Sequence, residues 1–311
     1  MAENLTLSRP GAQNLGSDPA KMFRDVFTGE VLTAFDEHNI MKDWHKMRTI
    51  THGKSASFAV MGRANARYHT AGEAILGSNK IAANERTINV DNLLIADVAI
   101  YDLEDAMNHY DVRREYSKQL GVALAKRFDE TTMRVAVLAA RSSVIKGGAT
   151  LATDGELLAE AVFSCSQTFD EKDVPEQERC LILRPAQFYL LNQTTKVLNR
   201  DWLGAGSYSD GKLDKIAGIK ILMSNHLPNK NIASAVDGEK NTYYGDFTNT
   251  LGLCMQSNAI ATVKLKDLTV QQSGHDFNIV YQSTLMVAKY AMGHGVLNPS
   301  YAIELSTAAK A

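Results

Sequence analysis

The chain has 311 residues, of which 45% are hydrophobic and 22% are charged, a balance typical of a protein with a sizeable buried core. Its formal net charge of −2 gives no overall basic field of the kind that nucleic-acid-binding proteins present to phosphates. Cys165, Cys180 and Cys254 lack CxxC spacing, so neither a zinc site nor a disulfide framework is predicted.

The N-terminal region predicts an arm followed by a helix. Residues 1–20 are rich in Gly, Pro, Asn and Ser and lack the apolar core of a signal peptide. No run in the chain approaches the roughly 20 apolar residues of a membrane span, so no membrane partner is expected. Residues 21–47 are predicted to be mainly helical because apolar side chains recur near helical spacing at Phe23, Val26, Phe27, Val31 and Phe35.

Two strand-like segments then surround a polar connector. "SFAVM" at 57–61 has strand character, and "RTINVDNLLIADVAIY" at 86–101 alternates apolar and other residues as a strand does. The connector of about 25 residues is long enough to predict a role of its own. It carries Arg63 and Arg67, which favour an ion-pairing tip that contacts another subunit, although a chance basic loop is the alternative.

Residues 101–143 predict a long helix that opens with a dense cluster of charges. Asp102 suits an N-cap, and a full helix over residues 103–143 would be about 60 Å long, longer than a compact globule of this size. The helix therefore either breaks, with Gly121 as the candidate position, or runs along an elongated plate. The charged residues lie off the apolar face and predict a solvated or intersubunit surface. The apolar face includes Met107, Leu120, Leu124 and Phe128.

From residue 144 onward, helices and strands follow each other without regular βαβ units, which predicts an α+β fold. "GELLAEAVF" and "PAQFYLLNQTTKVLN" predict helices, "RCLILRP" and "GIKILMSNHLP" predict strands, and residues 229–250 predict a polar loop. The segments 251–272 and 278–295 return to the alternation of a mixed sheet.

Motifs that would indicate an enzyme are incomplete. "THGKS" at 51–55 resembles the end of a phosphate-binding loop, but Arg48 stands where the first glycine is required. The eight histidines form no metal-ligand spacing, no nucleophile elbow is present, and His294 in "GHG" is predicted to serve a turn. No catalytic residue, cofactor or metal is therefore predicted.

Several segments together resemble the major capsid protein of T-seven-like podophages. They are "GEVLTAF" (29–35), "GKSASF" (53–58), "LLIADVAIYDLEDAMNHYDVRREYSKQLG" (93–121), "ATVKLKDL" (261–268) and "AKYAMGHGVLNP" (288–299). The resemblance implies the Hong Kong 97-like capsid fold. It implies an N-terminal arm at 1–45, the E-loop hairpin with its supporting strands at 46–100, and the spine helix of the peripheral domain at 101–143. The axial domain would occupy 144–260, and residues 261–311 would return to the peripheral domain.

The implied function is that of a structural protein of a tailed bacteriophage virion, without enzymatic activity. The subunits would form hexamers and pentamers of an icosahedral shell, assembled as a procapsid in the host cytoplasm with a scaffolding protein, a portal protein and possible decoration proteins. Double-stranded DNA would fill the shell without sequence-specific binding. The hypothesised intersubunit contacts are Lys54, Arg63, Arg67, Glu73, Arg113 and Arg114. The alternatives are an encapsulin-type compartment shell and, from another class, a P-loop-like ATPase centred on Lys54.

Overall fold

The computed structural model describes residues 21–62, 66–72, 74, 83–101, 112–194 and 215–309. The chain forms two compact units, each built from three separate segments. Unit one consists of Met1–Lys42, Asn92–Asp129 and Lys266–Met292, and unit two consists of Asp43–Asp91, Glu130–Leu265 and Gly293–Ala311.

The α-helices of the described residues differ from the sequence prediction mainly at their ends. They are α1 (Lys21–His38), α2 (Val112–Ala140), α3 (Gly155–Glu171), α4 (Pro185–Asn192) and α5 (His275–Tyr281). The helix predicted for 21–47 ends at His38, and a 3-10 turn follows at Met41–Asp43. The buried Asp129 carboxylate causes this early end, because it accepts hydrogen bonds from the backbone N–H groups of Ile40 and Met41 at 3.0 and 3.1 Å.

The described strands form two larger sheets and two strand pairs. They are β1 (Lys46–Thr49), β2 (Ser55–Met61), β3 (Ala83–Asn89), β4 (Leu94–Tyr101), β5 (Val144–Lys146), β6 (Arg179–Leu183), β7 (Lys215–Ile216), β8 (Ile219–Met223), β9 (Asn231–Ile232), β10 (Gly245–Asp246), β11 (Thr250–Gln256), β12 (Ile260–Gln272), β13 (Ser283–Val296) and β14 (Ala302–Ser306). One sheet has the order β5-β14-β11-β6-β8-β7 and the other β1-β12-β13-β4, while β2 pairs with β3 and β9 with β10.

The six-stranded sheet forms the core of unit two together with α3 and α4. All five residues of β6 and all seven of β11 are buried, which agrees with the apolar runs at 180–183 and 251–255 within them. Helix α3 begins at a capped end, where the Asp154 side chain accepts hydrogen bonds from the N–H groups of Glu156 and Leu157. Helix α4 begins with Pro185 in its first turn, as its sequence predicts.

Unit one is centred on the packing of α1 against the first part of α2. Phe35, Phe128 and Tyr290 form an edge-to-face aromatic cluster with ring centroids 6.0 to 6.5 Å apart. Helix α2 runs through Gly121 without a break. A Cβ atom at Gly121 would lie 2.6 Å from the Val31 carbonyl oxygen, so this glycine permits the two helices to approach closely.

The alternating run at 86–101 is two strands rather than one. Strand β3 ends at Asn89 and pairs antiparallel with β2, whereas β4 begins at Leu94 and pairs antiparallel with β13. The second alternating segment, at 278–295, also differs from the prediction, because its first residues belong to α5 and only Ser283–Val296 is strand. Apolar alternation over a few residues does not distinguish a single strand from a change of element.

Candidate functional site

The hairpin of β2 and β3 has a buried end and an exposed end. Its register runs from Ser55 opposite Asn89 to Met61 opposite Ala83. At the Asn89 end, Ala56 and Ile88 pack against Ala261, Val263 and Leu297, and all five are buried. We call residues 88–91 the hairpin root. The packing of Ala56 and Ile88 anchors this end of the hairpin within unit two.

Beyond the root, much of the described hairpin is exposed to solvent. Asn84, Glu85, Arg86 and Thr87 are all exposed, and so is Ala59 on the paired strand. In the connector, Arg67 is exposed and Tyr68 is fully exposed, at 105% of its reference area. The guanidinium of Arg48 contacts strand β2 of the hairpin. It donates a hydrogen bond to the Ser57 carbonyl oxygen at 2.5 Å and lies 5.8 Å from the Phe58 ring centroid.

The predicted contact residues are only partly within the described structure. Lys54 and Arg67 are exposed, as an intersubunit role requires. Arg63, Glu73 and Met107 lie outside the described residues. Arg113 and Arg114 belong to the first turn of α2, but their side chains also lie outside the description.

The surroundings of Lys54 are not those of a phosphate-binding loop. Lys54 directly precedes strand β2, and its carbonyl oxygen accepts a hydrogen bond from Val90 N–H at 2.8 Å. A phosphate-binding loop requires a helix whose N-terminal N–H groups face the phosphates. Among the described residues, no cluster of His, Cys, Asp or Glu side chains is arranged to hold a metal ion. None of the described helices has the length and apolar character of a membrane span.

Helix α2 presents opposite faces to the core and to solvent. Leu120, Leu124 and Phe128 are buried, and Ser117 on the same face is fully buried, with its hydroxyl donating to Glu30 Oε2 at 2.6 Å. Glu115, Lys118 and Lys126 are exposed. Glu115, Lys118 and Lys126 therefore belong to a surface, while the buried Asp129 of the same helix holds the turn after α1.

A polar network, which the sequence analysis does not predict, holds the hairpin root. The Asn241 side chain pairs with the Asn89 backbone: it accepts from Asn89 N–H at 3.1 Å and donates to the Asn89 carbonyl at 2.7 Å. The Asp91 carboxylate accepts from Lys240 N–H at 2.7 Å and from the Tyr243 hydroxyl. The loop at 240–243 thereby acts as a clamp on the root.

The same network continues into β13 and ends in a pair of histidines. His294 N–H donates to the Tyr243 hydroxyl oxygen at 2.9 Å. The Thr262 hydroxyl lies 2.8 Å from His294 Nδ1 and 2.7 Å from His45 Nε2, and all three side chains are buried. We call His45, Thr262 and His294 the histidine chain.

Two glycines allow β13 to approach the hairpin root. A Cβ atom at Gly293 would lie 1.9 Å from the Asn89 carbonyl oxygen, and one at Gly295 would lie 2.6 Å from Ile88 Cγ1. The turn predicted for His294 is therefore wrong, because "GHG" is part of a buried strand. Glycines on both sides of a polar residue within a strand pattern are the signal of close backbone approach that could have identified this site.

Burial shifts the titration of the groups in this network. Desolvation raises the pKa of Asp91, against the lowering effect of the hydrogen bond from Tyr243. Desolvation also lowers the pKa of His294 to about 3, and the neighbouring His45 adds to this shift. The pKa of Tyr243 is raised by burial and by the Asp91 charge. His294 is consequently neutral at physiological pH.

Comparison with known proteins relates this structure to phage capsids. The Gp10A-like family model, described as major capsid protein, matches residues 57–306. The major capsid protein of Escherichia phage T7 is 32% identical over 95% of this chain and 97% of its own length. The capsid structure of the cyanophage P-SCSP1u is 40% identical, with a TM-score of 0.80, and the match covers 99% of this chain and 100% of that chain. In the mature capsid of bacteriophage PhiM1, a chain of 15% identity shares the fold, with a TM-score of 0.69 over 86% of both chains.

The architecture is that of the Hong Kong 97-like subunits from which tailed phages build their capsids. The predicted α+β fold class is confirmed. The chain belongs to the Gp10A-like family of major capsid proteins, as the resemblance in its sequence predicts. It is a structural component of the virion that assembles into a shell of oligomers, and the comparisons support this function over a compartment shell or an ATPase.

Proposed function

We propose that the β2–β3 hairpin is the E-loop through which each subunit grips a neighbour within hexamers and pentamers of an icosahedral procapsid. The observation that carries this proposal is the contrast along the hairpin, where Ala56 and Ile88 are buried at one end while Asn84–Thr87, Arg67 and Tyr68 are exposed. A two-stranded hairpin is marginally stable without a surface to pack on. A neighbouring subunit would supply that surface.

Ion pairs between charged side chains would align the two subunits at this contact. Lys54 and Arg67 are exposed in the subunit and free to meet carboxylates of another copy. Arg63, Glu73, Arg113 and Arg114 belong to the same proposal from the sequence. Each exposed ion pair contributes little by itself. In a closed shell the same contact recurs in every subunit, so a small loss per contact is multiplied over the whole particle.

The chain would be divided into an arm, an E-loop, a spine helix, an axial domain and a returning peripheral segment, with boundaries at residues 45, 100, 143 and 260. Assembly would occur in the host cytoplasm with a scaffolding protein and a portal protein, and decoration proteins would bind the finished shell. Double-stranded DNA would be enclosed without sequence-specific contacts, and the subunit would catalyse no reaction. Membership of a major capsid protein family supports the part of this proposal that concerns assembly into a shell.

The charge reversal Arg67→Glu tests the hairpin contact. We expect the free subunit to keep its circular dichroism spectrum and melting temperature, because Arg67 is exposed. The yield of closed particles formed with the scaffolding protein should fall sharply, or open sheets should form instead. Negative-stain microscopy and sedimentation measure the yield. Added salt should change the yield because the lost contacts are ionic.

Lys146→Glu is the matched control, since Lys146 is an exposed cation in β5 of the six-stranded sheet. We expect this variant to assemble as the wild type does. A normal yield of closed shells from Arg67→Glu would remove Arg67 from the assembly contact. Equal yields of wild-type shells with and without the scaffolding protein would contradict the proposed scaffold dependence.

A further inference from the structure

The hydrogen bonds of the histidine chain depend on which imidazole nitrogens carry a proton. Thr262 carries one hydroxyl hydrogen, so it donates to one imidazole nitrogen and accepts an N–H from the other. The hydroxyl hydrogen is bonded within the histidine chain only when one of His45 and His294 presents an acceptor nitrogen and the other a donor nitrogen. A proton on the acceptor nitrogen turns both rings into donors, leaves the hydroxyl hydrogen without this acceptor, and places a cation in a site where all three side chains are buried.

The same histidine is linked directly to the hairpin root. His294 N–H donates to the Tyr243 hydroxyl, which bonds to Asp91, and the neighbouring Gly293 lies against the Asn89 carbonyl. Because the glycine positions leave no spare space, β13 has no room to shift here while the root stays in place. A change at His294 is therefore transmitted to residues 88–91.

We propose that the histidine chain and the 240–243 loop form an acid-sensitive latch on the hairpin. At neutral pH the latch holds the hairpin root against β13, and protonation of the histidine pair releases the root while the six-stranded sheet stays folded. The latch would act within the isolated subunit, whether or not the hairpin contacts a neighbour.

The charged groups around the latch act in opposite directions. His294 faces His45 from the segment before β1, Tyr243 from the clamp loop, and through Tyr243 the Asp91 carboxylate. Because the folded pKa of His294 lies below that of an unfolded histidine, the latch is at full strength above about pH 6.5 and weakens as the pH falls. Each pH unit below that value raises the open population by up to about tenfold for this one histidine.

Asp91 opposes this effect. Its pKa is raised by burial and by the nearby Glu239, so acid neutralises a carboxylate whose charge the folded structure disfavours. Protonation of Asp91 therefore favours the latched state, and an opening caused by acid must come from the histidines. Variants at the two sites separate these contributions.

Hydrogen–deuterium exchange of the purified subunit tests the latch. We expect exchange in peptides covering 84–91, corrected for the intrinsic effect of pH, to rise about tenfold between neutral pH and about pH 5.5. Peptides covering β6 and β11 should keep their protection over the same range. His45→Gln should reduce the rise without abolishing it, because glutamine bonds to Thr262 either as donor or as acceptor and carries no charge, whereas burial of His294 still disfavours its protonated form. Asp91→Asn should retain an acid-dependent rise.

Thr262→Val provides a second route if His45→Gln does not fold. Valine removes the shared hydroxyl at similar volume, so the root should already exchange rapidly at neutral pH and respond less to acid. Three results would overturn the proposal: an unchanged root in acid, a His45→Gln variant that responds like the wild type, or a root that opens only when β6 and β11 also open.

Discussion

At Gly121 a missing side chain matters more than helix propensity. From the sequence, a glycine in the middle of a long helical pattern marks a possible break, because glycine is about 1 kcal/mol less favourable than alanine in a helix. In the structure α2 continues through it, and α1 fills the space where a Cβ atom would be. The residue serves the contact between the two helices.

Gly121→Ala should therefore destabilise the subunit although it improves helix propensity. The added Cβ would lie 2.6 Å from the Val31 carbonyl oxygen and 2.8 Å from Ala34 Cβ, and backbone atoms cannot move away without displacing α1. We expect the free energy of unfolding to fall by about 1–3 kcal/mol in urea titrations.

Gly29→Ala is the matched control in α1. Nothing lies within 4 Å of its built Cβ position, so alanine should stabilise the subunit by about 0.5–1 kcal/mol. If both alanine variants are stabilised equally, the close approach of α1 to Gly121 is not present in solution.

At the scale of the element, α2 shows what periodicity predicts well. The spacing of Leu120, Leu124 and Phe128 predicts one apolar face, and all three side chains are buried in the structure. The cluster of Phe128 with Phe35 and Tyr290 explains why this face needs large side chains. The ends of elements were predicted less well: the turn after α1 depends on Asp129, which lies 88 residues away from Met41 in the chain.

Truncating a side chain on the buried face of α2 should lower the free energy of unfolding far more than truncating one on its exposed face. Leu124→Ala removes a side chain that is 2% exposed and should lower the free energy of unfolding by about 2–5 kcal/mol. Lys126→Ala, two residues away and exposed, should change it by less than about 0.5 kcal/mol. Chemical denaturation monitored by circular dichroism measures both. Similar losses in the two variants would show that the face assignment is wrong.

At the scale of the whole molecule, the subunit is expected to work by assembly and not by chemistry. Lys54, the lysine of the incomplete phosphate-binding pattern, precedes a strand and is exposed. Purified subunits should therefore hydrolyse ATP no faster than buffer controls, and Lys54→Ala should leave nucleotide binding unchanged in titration calorimetry. Stoichiometric ATP binding that disappears in Lys54→Ala would contradict this expectation.

The sequence by itself determined the family, the α+β class, the buried face of α2 and most strand positions, because these depend on local motifs and on the spacing of nearby residues. Only the tertiary structure revealed the division of 86–101 between two sheets, the function of Gly121 and the network at the hairpin root. Tyr243 and Asp91 are 152 residues apart, and His45 and Thr262 are 217 residues apart. No local pattern relates residues so distant, and their contact is decided by the burial of whole strands and helices, which brings them together.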